Sequence, residues 1–512
     1  MIFIYHTNKT ICKVENELGE PFNFDPKVPI AVELQRIAIK NPDVILVWCH
    51  VDYENSLNID VLNKLFHHNR LMLSFSANRT CFLGDQIGYV DESLFVNVNK
   101  KVRFPTWQMS STVGMIHASV LVKLESIPCQ NNLDYYLSSI AKLAMPQGLL
   151  CYSEPRLLFD QNNSKKVTAS TFTLFRFVKQ HYKTRWVFLL FLNLLWYENK
   201  LPIFPFLLSL FYKRRVASKI NLEGIKVSSN ENVVQQKTID VIIPTIGREK
   251  YLHDVLKDLA KQTVLPQKVI IVEQNPVDKS VSDLDYLIEE SWPFKIKHIF
   301  THQAGACNAR NLALLEVDSE WVFLADDDNR FESTLIETVF VKLAQYGVHA
   351  VSVAYPQKNE VFSISIVRQA ETFGAGNSFV KKEMLRGISF NKGYEFGYGE
   401  DNDFGMQLRN RGTDVLYLPE PKILHLKAPM GGFRTKLILA WEHDEVQPKP
   451  SPTVMLFQLN HKTTQQNLGY KTILFFKYYN HQSIKNPLTY YKNFSKQWKR
   501  SLYWADKLNT TV

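Results

Sequence analysis

Cysteine is sparse in this 512-residue sequence and follows no pattern: Cys12, Cys49, Cys81, Cys129, Cys151 and Cys307 include no C-x-x-C pair. That spacing argues against a structural zinc framework. A chain this long can bury sizeable cores without staples, so the thiols read as reduced and buried in a cytosolic protein. No apolar run reaches the roughly 20 residues that a membrane-spanning helix needs. The N-terminal MIFIYHTNK is too short an apolar stretch for a secretory signal. Compact Lys/Arg-rich stretches with interleaved aromatics are also missing. The net charge of +10 therefore points to an anionic substrate or an anionic membrane surface ahead of nucleic acid, and no nucleic-acid partner is expected.

What is present is a globular composition, 45% hydrophobic and 21% charged, spread over a length that suits several domains. Residues 1–160 mix strand-like and helix-like patterns. Residues 161–237 open on the polar QNNSKK, turn strongly apolar and aromatic, and close on the polar SSNENVVQQK. Residues 238–430 alternate strands with helices, the mark of α/β architecture. Residues 431–512 form an extension rich in Lys, Tyr and Phe, expected to be helical.

The middle zone holds two apolar runs, Trp186–Tyr197 and Leu201–Tyr212. Glu198, Asn199 and Lys200 separate them, and Pro202 and Pro205 interrupt a continuous helix. Lys183, Arg185, Lys213, Arg214 and Arg215 flank them. Two readings stand. One is a helical hairpin buried between domains; the other is a segment lying in a membrane interface.

The chemistry gathers in the third zone. VIIPTIGR, a helix-like YLHDVLKDLAKQT and a second strand KVIIVEQN make a strand–turn–helix–strand unit of the nucleotide-binding kind. Ligands of such sheets sit beyond the carboxyl ends of the strands. Pro244, Thr245 and Arg248 fall at one strand end and Glu273 at the next. Arg248 suits a diphosphate, and Glu273 can accept a hydrogen bond from a base edge. The buried strand WVFLA then runs into Asp326-Asp327-Asp328. Carboxylates at a strand end are costly unless solvated or neutralised. Asp326 and Asp328, alternating, can face one side together and hold a hard divalent ion that bridges a diphosphate.

Further on, GYEFGYGEDNDFGMQLRNRG sets Glu400, Asp401 and Asp403 at a helix start, where the dipole favours negative charge. Transfer to a hydroxyl needs a carboxylate to take its proton, and Glu400, Asp401 and Asp403 are the candidates; helix capping by the same carboxylates is the other reading. His425 follows on the strand DVLYLPEPKILHL and reads as a metal ligand from its order after the other two motifs.

In this combination the segment from about Thr238 to Pro429 resembles a GT-A-fold glycosyltransferase of family-2 type. VIIPTIGR is similar to the family's opening strand, ADDDN to its DxD motif and GYGEDNDF to its ED motif. The last is also similar to the W-G-x-G-E-D segment of galactosyl- and N-acetylgalactosaminyltransferases. The resemblance implies a Rossmann-like nucleotide-diphospho-sugar transferase domain. It would carry a nucleotide-sugar donor, a UDP-sugar in the preferred reading, Mn²⁺ or Mg²⁺, and inversion at the anomeric carbon. It implies a glycan or lipid-linked acceptor and hexosyl or N-acetylhexosaminyl transfer in polysaccharide or glycolipid synthesis. The cysteine pattern and the apolar middle segment with its basic flanks add the expectation of a cytoplasmic place, peripheral on the inner face of the plasma membrane. Pro244, Thr245, Arg248, Glu273, Arg310 and Asp326 would hold the nucleotide. Asp328 and His425, with Asp326, would hold the metal, while Asp401 would be the base and Glu400 would orient the acceptor. The family's second strand often ends in Asp-Asp, whereas this one ends Glu273-Gln274. Two alternatives remain: a metal-dependent nucleotide-sugar hydrolase or phosphotransferase using the same aspartate cluster, and a non-catalytic carbohydrate-binding or assembly module, which fits residues 1–160 alone while Asp328, Asp401 and His425 argue against it for the whole chain.

The first zone repeats the pattern of the third without its chemistry. Ala31–Glu54 lies over NARNLALLEVDSEWVFLADDDNRF, TVGMIHASVLVKLESI over GAGNSFVKKEMLRGIS, and NNLDYYLSSIAKLAMPQGLLCYSEPRLLF over GEDNDFGMQLRNRGTDVLYLPEPKILHL. His50-Val51-Asp52 stands at the three aspartates, Phe159 at His425, and Leu133-Asp134 near the ED position. Little room is left before Ala31 for an opening strand and its helix. The expectation is a degenerate GT-A-like α/β domain that binds no donor.

Overall fold

The computed structural model describes residues 1–159, 168–360, 364–427 and 439–510. The expected domain limits near 160 and 430 fall outside these residues. The chain forms two compact units. One comprises Met1–Asn230, Asn410–Gly412 and Lys462–His481; the other comprises Glu231–Arg409, Thr413–His461 and Gln482–Val512.

In the first unit, seven strands form one sheet: β1 (Ile2–His6), β2 (Ile11–Asn16), β3 (Ile45–His50), β4 (Leu71–Phe75), β5 (Phe104–Pro105), β6 (Val113–His117) and β7 (Leu150–Ser153), in the order β2-β1-β3-β6-β4-β7-β5. Every residue of β1, β4 and β6 is buried, which explains why they read as short continuous apolar runs rather than alternating ones. Ile2, Ile4, Leu46, Trp48, Met72 and Ile116 share a core with Leu34 and Ile37 of the helix Ile30–Lys40 and with Tyr136 and Ile140 of the helix Leu133–Ala144.

The apolar middle segment belongs to this unit. It forms the helices Thr171–His181, Arg185–Glu198 and Ile203–Ser209. Phe175, Phe177, Val187, Leu190 and Leu194 join the core just described. The other side is open: Phe188 is 50% exposed, Phe204 74%, Leu208 53% and Phe211 85%. The hairpin is thus buried along one face only. Among the described residues, no helix is long and apolar enough to cross a membrane.

In the second unit, nine strands form a sheet: β8 (Ile239–Thr245), β9 (Lys268–Gln274), β10 (Lys295–Thr301), β11 (Trp321–Ala325), β12 (Asn329–Phe331), β13 (Ala350–Ala354), β14 (Arg368–Gln369), β15 (Asn377–Lys381) and β16 (Leu416–His425). Their order is β10-β9-β8-β11-β15-β13-β16-β12, with β14 beside β16. The parallel set β10-β9-β8-β11 is the doubly wound half expected from sequence. Its crossover helix Glu249–Ala260 buries Leu252, Val255, Leu256 and Leu259 at helical spacing.

Five strands recur in both units with the same order and sense. The run β1-β3-β6-β4-β7 is parallel, antiparallel, antiparallel, parallel. The run β8-β11-β15-β13-β16 has the same sequence of senses. The difference lies outside β1. An opening strand does fit before Ala31, but its outer neighbour is the antiparallel hairpin strand β2, where β8 has a crossover helix and parallel β9.

Candidate active site

The site lies at the carboxyl ends of β8 and β11. Chain reversal after β8 uses Gly247 at φ 57°, which sends Arg248 to the start of the crossover helix. Arg248 Nη1 donates to Asp327 Oδ1 at 2.5 Å and lies 3.0 Å from Asp328 Oδ2. Thr245 Oγ1 donates to Asp327 Oδ2 at 2.7 Å. Burial pushes the Asp327 carboxyl up to about 6 against the pull of Arg248 and Thr245. The middle aspartate is therefore a pin that locks the strand end between its neighbours Asp326 and Asp328.

Those neighbours converge with the last residue of β16. Oxygens of Asp326 and Asp328 and a ring nitrogen of His425 lie within 4.8 Å of one another, a grouping able to hold a metal ion. His425 Nε2 is 3.6 Å from Asp328 Oδ1. The strands set this distance, since Asn329 of β12 pairs with His425 and the Leu426 N–H donates to the Asp328 carbonyl at 3.1 Å. Tyr355 stacks on the His425 ring at 4.5 Å and donates to Asp326 Oδ2 at 3.2 Å. Beside Asp326 only glycine fits at 376, because a Cβ there would meet Asp326 Oδ2 at 2.1 Å.

Arg310, buried on the helix Ala306–Leu315, donates from Nη2 to Asp326 Oδ1 at 2.9 Å. Its charge also acts on Glu400 and Asp401, both in the first turn of the helix Glu400–Asn410. Burial raises the Asp401 carboxyl to about 7; Arg310 opposes the rise and the charges of Glu400 and Asp326 add to it. Asp401 accepts the Ala375 N–H, and its Oδ1 has no hydrogen-bond partner. Burial raises Glu400 as well. Asp403 turns away: its Oδ1 is 2.6 Å from His461 Nε2, and its Oδ2 accepts from Gln407 at 2.8 Å.

Pro244, Thr245, Arg248, Arg310, Asp326, Asp328, Glu400 and His425 all line one cavity of about 590 Å³. That volume falls inside the ~300–1,000 Å³ typical of small-molecule sites. Asp401, next to Glu400, is not among the lining residues. Glu273 is also off the wall. Its carboxylate is engaged by His298 at 2.9 Å, Ser282 at 2.5 Å and the Asp283 N–H at 3.2 Å. Burial works to raise Glu273, but these bonds win and hold it below the usual glutamate range. Gln274 lines the cavity instead and accepts the Gly305 N–H at 2.6 Å. Sequence reasoning missed Glu395, whose two oxygens accept the Cys307 and Asn308 N–H groups at 2.9 and 3.0 Å, at the start of the Arg310 helix.

A half-parallel sheet, carboxylates at its strand ends and a helix opening on Glu400-Asp401 define a GT-A-type glycosyltransferase domain. Residues 240–398 match the model of glycosyl transferase family 2, and this part of the chain is a family 2 domain. Glycosyltransferase GlyG of Streptococcus pneumoniae is 20% identical over 236 residues, covering 41% of this chain and 77% of that protein. GlyA of the same organism is 27% identical over 114 residues, and poly(ribitol-phosphate) beta-N-acetylglucosaminyltransferase TarS of Staphylococcus aureus is 29% identical over 92 residues. These matches span only 15% and 16% of the two proteins. The crystal structure of S. aureus TarS 1-349 in complex with UDP-GlcNAc is similar at a TM-score of 0.35 and 18% identity, over 45% of this chain and 69% of that one.

Proposed function

We propose that this chain moves a sugar from a nucleotide-sugar donor, a UDP-sugar, to a hydroxyl of a glycan or lipid-linked acceptor, with inversion, in polysaccharide or glycolipid synthesis. The observation that carries this reading is the meeting of Asp326, Asp328 and His425 on the same cavity wall as Glu400. Two carboxylates and one imidazole suit Mn²⁺ or Mg²⁺. Such an ion, when bound, would neutralise charge on the departing diphosphate. Asp401 takes the proton of the acceptor hydroxyl; a carboxyl poised near 7 suits a base working at neutral pH. Glu400, on the wall, orients the acceptor. Arg310 keeps the three carboxylates from repelling one another. Arg248 and Thr245 hold the strand end while Pro244 shapes the donor wall.

A screen of common UDP- and dTDP-sugars, read as nucleotide release with and without acceptor, tests the proposal. Acceptor-dependent release is expected. Free sugar as the sole product would favour the hydrolase.

The first unit completes the proposal as a degenerate GT-A-like domain, supported by the shared strand order. Its exposed apolar helices make the protein peripheral to an anionic membrane. Phe204, Leu208 and Phe211 stand open to solvent beside the exposed Lys213 and Arg214. Aromatic and aliphatic side chains backed by cations suit the headgroup boundary.

A further inference from the structure

The first unit has a cavity of its own, about 180 Å³, at the carboxyl ends of β3 and β4. Strand register relates it to the active site. Cys49 pairs with Val113 as Ala325 pairs with Asn377. His50 and Asp52 therefore stand where Asp326 and Asp328 stand, and Ser111 stands where Ala375 stands. Asp134, in the first turn of the helix Leu133–Ala144, accepts the Ser111 N–H at 2.8 Å. Asp401 accepts the Ala375 N–H in the same way. The carboxylate on the acceptor side has thus kept its place and its backbone anchor.

The donor side has not. Among the described residues, the grouping able to hold a metal is that of Asp326, Asp328 and His425, not one around His50. β2 replaces the parallel strand that completes a nucleotide-binding half. Size decides between the remaining ligands. A cavity of about 180 Å³ is well below the ~300–1,000 Å³ of drug-sized sites. It has room for one sugar ring but not for a nucleotide diphosphate-sugar.

The wall chemistry matches such a ring. Asn8, Asp134, Gln108 and Ser110 line it with polar groups, Asn8 and Asp134 being held in place by Ser111, and Tyr53 and Phe75 offer apolar faces. Gln108 Nε2 is buried with no hydrogen-bond partner, and an orphaned buried donor is expensive unless a ligand meets it. We infer that this cavity binds a single pyranose unit, without metal or nucleotide, and that the unit belongs to the acceptor glycan. Only the link to the acceptor rests on the glycosyltransferase proposal; the sugar site does not.

The test uses the full chain in excess chelator, without nucleotide. Methyl glycosides of glucose, galactose, N-acetylglucosamine and N-acetylgalactosamine are screened by saturation-transfer NMR, with thermal melts confirming that each variant is folded. At least one glycoside should bind. Its affinity should survive Asp401→Asn and fall about tenfold in Gln108→Leu, the loss of one buried hydrogen bond. Asp134→Asn should weaken it too. Binding by none of the four, or binding that survives Gln108→Leu and is lost in Asp401→Asn, overturns the inference. Glycoside binding that depends on Gln108 in a chain that turns over no donor would uphold the site and refute the transferase reading. Transfer by a chain that binds no glycoside would do the reverse.

Discussion

Arg310 donates to Asp326 at 2.9 Å, and that single guanidinium balances the negative charge of both halves of the active site. Its charge reaches Asp326, Asp401 and Glu400 together, so Asp326 and the Glu400–Asp401 pair share one counter-ion. Replacing Arg310 by Met leaves three crowded carboxylates without it. Removing one partner of a buried pair costs about 3–5 kcal/mol. The expected outcome is a lower melting temperature and a rise in the pH at which activity is half-maximal. An unmoved pH profile in the folded variant would show that Arg310 does not set the protonation of Asp401.

Asp401 gives two opposed pH dependences. Its carboxyl lies at about 7 in the fold against an ordinary 3.8. A base must be deprotonated, so kcat/KM should climb with pH and reach half its plateau near neutrality. Stability runs the other way. Between those two values the folded state holds a proton that the unfolded chain has released, so stability falls as pH rises through the window. Asp401→Asn cannot titrate and should flatten that decline. Melting curves between pH about 5 and about 8 check it; parallel losses in both proteins would contradict the raised carboxyl.

Asp328→Ala removes one member of the Asp326, Asp328 and His425 grouping. Transfer should fall on the order of 10²-fold or more, as when other electrostatic stabilisers are lost. Chelation of the unmodified protein should do the same and Mn²⁺ should restore it. Full activity in excess chelator refutes the metal.

The membrane reading is checked by sedimentation with anionic liposomes. The unmodified protein should co-sediment. Glu at Lys213, Arg214 and Arg215 should release it, at about 1 kcal/mol for each basic residue near such a surface. Arg215 is the weakest of the three as a probe, since it also donates to Ser139 at 2.6 Å. A protein that stays in the supernatant sinks the proposal.

Much of the site was legible because its signals are local. A buried strand, WVFLA, running into three aspartates raises a charge problem that a partner, solvent or a ligand must solve, and His425, at the end of a different strand, follows two motifs later. What sequence could not carry is the long-range partner. Glu395 caps N–H groups 88 residues away at Cys307, and nothing in GYEFGYG announces it. Glu273 has the side chain for a base edge, but His298, 25 residues on, occupies it. The helix Arg185–Glu198 is apolar on every side, so sequence alone gives no way to tell its core face from its open one; tertiary packing decides that Leu190 is buried and Phe188 is not. In the first unit, the stretch before Ala31 is short for an opening strand and its helix. A hairpin turn needs far less chain than a crossover helix, and that economy makes room for β1.

The most direct measurement is donor turnover by Asp401→Asn and Glu400→Gln beside the unmodified protein, with a UDP-sugar, Mn²⁺ and acceptor. Asp401→Asn keeps size and much of the hydrogen bonding but cannot take a proton. Its kcat should fall by about 10²–10⁴-fold while donor binding stays within a few-fold, and Glu400→Gln should act mainly on acceptor KM. Near-normal kcat in Asp401→Asn with loss in Glu400→Gln would move the base to Glu400. Near-normal turnover in both would contradict the inverting mechanism.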